Sequence, residues 1–170
     1  MKRFLFCLAL SMIFITPMYS QIQNRFFGYL FGSRMYHMVD AMGDNLYLKE
    51  DDNLSVKDVK FGGLSWDYAE MQYFNDQFSF ISFSLVNKSE KIASDYFLLL
   101  KDKLDDKYKL YKFNQSCTSR RVVYTDFENV CMLEYKYSQS KGGEMYWYLD
   151  LSYWNLELSK KVIDTQNSEL

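Results

Sequence analysis

Proline, histidine and cysteine are all scarce in this chain. Its 170 residues include one proline, one histidine and three cysteines. A single proline rules out a collagen-like or proline-rich chain. The single histidine, His37, leaves a nucleophile that needs imidazole with no placed partner, and no serine sits in a GxSxG elbow. Three cysteines are too few for a disulfide-dense scaffold, and none has the CxxC spacing of a redox or zinc site. Charge of one sign is missing as well. The 20 basic and 22 acidic residues leave a net charge of −2, which argues against an electrostatic nucleic-acid binder. There is no P-loop and no GxGxxG, and the acidic run at 50–53 lacks the alternating ligands and glycine of an EF-hand. No cofactor and no metal are expected.

Long apolar runs are absent too. The longest, Phe4 to Ile15, spans twelve residues with only Ser11 interrupting. That is short of the roughly 20 apolar residues of a membrane-spanning helix. Lys2 and Arg3 precede it and Pro17 follows it, the three-part plan of a secretory signal peptide, with cleavage expected after Ser20. Cys7 leaves with that peptide. The remaining chain holds 18 basic and 22 acidic residues, a net charge of −4. The expected localisation is therefore exported, periplasmic or secreted, with no stable membrane span after cleavage. Cys117 and Cys131 lie fourteen positions apart, and in an oxidising compartment this predicts a disulfide. The competing expectation is a free Cys131 thiol on a strand, because Cys131, Leu133, Tyr135 and Tyr137 alternate on one face.

Aromatic side chains are what the chain has in excess: 14 Phe, 15 Tyr and 3 Trp. Along the exported part, Met35, Met38, Val39 and Met42 recur at helical spacing, which predicts a short helix over 34–42 ended by Gly43. The period then changes to two, with apolar runs at 46–48, 57–61, 66–74 and 78–86. Gly62-Gly63 and Asn75-Asp76 read as hairpin turns. The apolar phase slips within 78–86, which means a bulge or burial on both faces. Asn87 and Glu90 imitate a capping box before Ala93, Phe97, Leu100, Leu104 and Tyr108, a second helix with a wide apolar stripe. Strands return at 109–113, around 121–125, at 130–138 and at 145–158, and 159–170 reads as a polar tail. In the last strand Met145, Trp147, Leu149, Leu151 and Tyr153 alternate with Tyr146, Tyr148, Asp150 and Ser152.

These elements predict one α+β domain over 21–158: an antiparallel sheet with two helices packed on one face, built as two αβββ-like units. The segments FFGYLFGS, VKFGGLSWDY and YFNDQFSFISF, within residues 26–108, resemble a pattern in small exported bacterial proteins. Some of these are similar in architecture to the beta-lactamase-inhibitor-protein-like and SmpA-like folds. That resemblance implies a helix-on-sheet module that binds protein partners or serves envelope assembly, with no catalytic residues to carry over.

Two functional expectations follow. The first is a non-enzymatic exported module that binds a macromolecular partner, a protein of the cell envelope, through an aromatic sheet face formed by Trp66, Tyr68, Tyr146, Tyr148 and Trp154. The second is a glycan-binding or glycan-hydrolysing protein that pairs exposed aromatics with two acids, for which Asp67, Glu70 and Asp150 are the candidates. Clustered exposed aromatics favour the first, and a groove with two facing carboxylates favours the second.

Overall fold

The computed structural model describes residues 19–116, 118–139 and 143–161. Nearly all of the expected signal peptide, Cys117 and the end of the polar tail lie outside the described residues. A two-stranded ribbon, β1 (Arg25–Phe26) and β2 (Tyr29–Leu30), leads into helix α1 (Met35–Met42). A meander of four strands follows: β3 (Leu46–Glu50), β4 (Asn53–Phe61), β5 (Leu64–Phe74) and β6 (Gln77–Asn87). Helix α2 (Glu90–Lys107) then leads to a second meander: β7 (Leu110–Gln115), β8 (Ser119–Thr125), β9 (Asn129–Gln139) and β10 (Met145–Asn155). The two meanders join through β6 and β10 into one eight-stranded antiparallel sheet of order β3-β4-β5-β6-β10-β9-β8-β7. Residues 156–161 form a last helical stretch, which replaces the end of the strand expected to run to 158.

The fold is mostly β, not the expected α+β arrangement of two helices on a sheet. Strands account for 55% of the described residues. Only α2 forms a helical layer, packing Ala93, Phe97, Leu100 and Leu104 toward β6, β9 and β10. Helix α1 is two turns long, because Gly43, with φ of +49°, ends it. It is pinned to the β5–β6 hairpin, where the Met35 amide donates to the Asp76 carboxylate at 3.1 Å. Aromatic rings do the work of the missing helical layer. Phe26 lies within 6.2 Å of the rings of Phe31, Phe61, Phe78, Phe83 and Tyr153, and Phe61 stacks on Phe83 at 4.1 Å. Ten of the aromatic side chains are buried in the core.

Local chemistry explains the strand boundaries. Asn75 and Asp76 both take positive φ, as a tight type I′ hairpin between β5 and β6 requires. The phase slip in β6 is a bulge at Ser79, whose hydroxyl donates to the Gln72 carbonyl at 3.1 Å. The N-cap of α2 is Ser89, which accepts from the Ile92 amide. Asn87, the residue expected there, instead accepts from the Ser89 amide at 2.7 Å.

Among the described residues no disulfide is found: Cys131 is a free, fully buried thiol on the inner face of β9, beside Leu133 and Tyr135. Burial pushes its pKa up to about 12, against the hydrogen bond with Tyr153 and the charge of Lys107.

Candidate functional site

The site follows from strand alternation. In β10, Trp147, Leu149, Leu151 and Tyr153 point toward α2, so Tyr146, Tyr148, Asp150, Ser152 and Trp154 point the other way. Both α1 and α2 contribute to the core on the first face. The second face carries a groove of about 490 Å³ across β5, β6, β10 and β9. Tyr68 and Glu70 supply its wall on β5, Ser82 and Ser84 its floor on β6, and Glu134 and Lys136 its wall on β9.

A closed polar network joins the floor of this groove to its β9 wall. Arg121 on β8 donates from Nε and Nη2 to Glu134 Oε1, at 3.0 and 2.6 Å. The Lys136 ammonium lies 2.8 Å from Asp150 Oδ2 and 3.6 Å from Glu134 Oε2. Ser84 donates to the other Asp150 oxygen at 2.7 Å, and the Ser82 and Ser152 hydroxyls pair at 2.9 Å. Partial burial works against the Lys136 charge. The hydrogen bond to Asp150 and the two carboxylate charges outweigh it, and the ammonium is held above its ordinary pKa. Among the described residues, no buried side-chain nitrogen or oxygen lacks a partner.

One carboxylate in the groove stands outside this network. Glu70 sits opposite Ser55 on β4 and Ser82 on β6, and among the described residues its side chain makes no hydrogen bond or ion pair. Lys57, diagonal to it on β4, is turned onto the Tyr47 ring at 3.5 Å.

At the β7 end of the same face lies a second, mainly apolar cavity of about 640 Å³. Leu110, Val123, Val130, Trp154 and Leu156 line it, with Lys109 and Phe127 also contributing. Phe127 holds a positive φ of 75° and is 93% exposed. Phe80 and Trp154, 6.4 Å apart, connect the two depressions.

The five aromatic residues singled out in the sequence are divided by the fold. Tyr68 and Tyr148 line the polar groove, and Trp154 lines the apolar cavity. Tyr146 shares their face at the far end of β10, its hydroxyl bonded to Glu144 and its ring 5.4 Å from Lys88 Nζ. Trp66 is excluded from the face: it is 1% exposed, and its indole N–H donates to the Phe61 carbonyl at 2.9 Å. The burial phase of β5 switches between Trp66 and Ala69, level with Asp58 of β4, whose φ is +53°. Strict alternation therefore assigns Trp66 to the wrong side.

Among the candidate acids, Asp150 and Glu70 do lie in the groove. The Asp67 carboxylate accepts from the Val86 amide at 2.7 Å, which occupies it structurally. Glu134, Lys136 and Arg121 carry no weight in the sequence reading. Their signal is the alternation of Met132, Glu134 and Lys136 with Leu133, Tyr135 and Tyr137, charges at every second position of a strand otherwise rich in apolar and aromatic residues. His37 is exposed on α1, 3.9 Å from the Tyr36 ring, and does not line the groove.

No family model matches the chain, and comparisons with curated proteins and with solved structures find no match.

Proposed function

We propose that the protein is an exported, non-enzymatic binding module that takes a protein partner on the sheet face opposite α2. The observation that carries this reading is the continuity of that face. A polar groove walled by tyrosines runs past Phe80 and Trp154 into an apolar cavity. Concave surfaces with an apolar pocket and a few placed polar groups are where proteins bind ligands, and exposed aromatics anchor protein partners. The basic n-region and twelve-residue apolar run at the N-terminus support export.

Asp150, a candidate acid of the glycan-hydrolase reading, faces Glu134 across β10 and β9. Both are already engaged by Arg121 or Lys136. This ion-paired arrangement favours a recognition surface over acid–base chemistry.

Capture from an envelope extract of the native host tests the reading, using the wild-type protein, Tyr148→Ala and the helix-side control Leu99→Ala. A partner retained by the wild type and by Leu99→Ala but lost with Tyr148→Ala is expected. Equal capture by all three would refute it.

A further inference from the structure

The charges of the groove leave one carboxylate over. Glu134 and Asp150 are matched by Arg121 and Lys136, two acids to two bases. Among the described residues Glu70 has no counter-charge, and Lys57, diagonal to it on β4, is committed to the Tyr47 ring. A partly buried carboxylate without a partner is complementary to a cationic group brought by a ligand.

The apolar cavity imposes a second demand. Its volume of about 640 Å³ is ample for one large side chain. Among the described residues, it is left open beside Trp154 and the almost fully exposed Phe127.

The two demands lie a readable distance apart. Glu70, Ser82 and Ser152 are successive register partners on β5, β6 and β10, and Trp154 lies two residues further along β10. With strands about 4.8 Å apart and a rise of about 3.4 Å per residue, Glu70 and Trp154 are separated by about 12 Å. In an extended chain, residues i and i+4 point to the same side and lie about 13 Å apart. We infer that the open face takes an extended polypeptide segment. Its basic side chain meets Glu70, and a large apolar side chain four positions away, in either direction, fills the cavity beside Trp154. This rests on the binding reading above and adds the partner's chemistry to it.

Calorimetric titration of the purified protein with short peptides tests the inference. The probes are acetyl-Lys-Ser-Gly-Ser-Phe-amide and its reversed sequence. The controls replace Lys by Glu, or Phe by Ser. At least one Lys/Phe peptide is expected to bind saturably, with each control about tenfold weaker or more, the scale of one charge-assisted hydrogen bond or one buried side chain. Glu70→Gln should remove the preference for Lys over Glu and keep the contribution of Phe. Phe127→Ala, at an exposed position, should weaken the Phe peptide and leave the Lys preference intact. Thermal midpoints of both variants should match the wild type. Absence of binding at millimolar peptide would overturn the inference, as would a Lys preference that survives Glu70→Gln. A partner captured through Tyr148 with no such peptide preference would overturn the basic-plus-apolar specificity and leave the binding reading standing.

Discussion

The Lys136 ammonium on β9 lies 2.8 Å from the Asp150 carboxylate on β10, on the sheet face opposite α2. The same ammonium reaches Glu134, which Arg121 holds from the other side. Four charges thus form one chain across three strands, and the floor of the groove is preorganised by it.

Glu134 is the member of this chain with most to lose, because its side chain is only 10% exposed. Glu134→Gln leaves two cations with a weaker acceptor and should cost about 2 kcal/mol, the scale of hydrogen bonds to charged groups. Urea unfolding at low salt checks this. Lys88→Met, at an ion pair with both side chains more than half exposed, should leave the urea midpoint unchanged.

Neighbouring positions on β10 should separate structure from recognition. Trp147 stacks on Tyr135 at 5.1 Å on the core side, so Trp147→Ala should cost about 3 kcal/mol. Tyr148 faces the groove, and Tyr148→Ala should change stability by less than about 1 kcal/mol. Denaturant midpoints of the two variants make the comparison. Equal losses would place both rings in the core.

Alkaline pH should unfold the protein. Burial, and then the charge of Cys131, raise the Tyr153 phenol; burial, and then the hydrogen bond to Asp105, raise Tyr124. The Cys131 thiol is raised from 9.0 to about 12. The unfolded chain ionises these groups first, so above about pH 9 it sheds protons that the folded chain keeps. Their contribution is present in full below pH 9 and is lost as pH rises through the folded values. Thermal midpoints should fall steeply between pH 9.5 and about 12, with tyrosinate absorbance appearing together with unfolding. Tyrosinate forming in full before the fold is lost would contradict this.

The buried thiol makes a separate prediction. Cys131 should resist alkylation in the native state and react once the chain is unfolded, as peptide mass mapping would show. Its immediate labelling at neutral pH would contradict the inward placement.

Local signals made much of this fold legible. Asn75-Asp76 and Gly62-Gly63 turn where the sequence has them turn, α2 follows its apolar stripe, and β10 alternates as written except at its first residue, Met145, which is exposed. The layer arrangement was not legible. Helical spacing over 35–42 says nothing of whether eight residues cover a sheet, and the rings packed there instead, Phe26, Phe31, Phe61, Phe78 and Tyr153, come from five separate segments. The site was legible in half. Tyr68, Tyr148, Trp154, Glu70 and Asp150 were readable from parity, whereas Trp66 was misplaced by a phase switch level with Asp58. The network of Arg121, Glu134 and Lys136 depends on register between strands, which no single segment encodes.

The sheet face opposite α2 is proposed as the binding face. A photoreactive phenylalanine analogue placed at Tyr148, and in a second protein at Leu99 on the exposed side of α2, tests it directly in the native host. Irradiation should give a discrete protein adduct from position 148 and none from position 99. Adducts from position 99 alone, or from neither position, would contradict it.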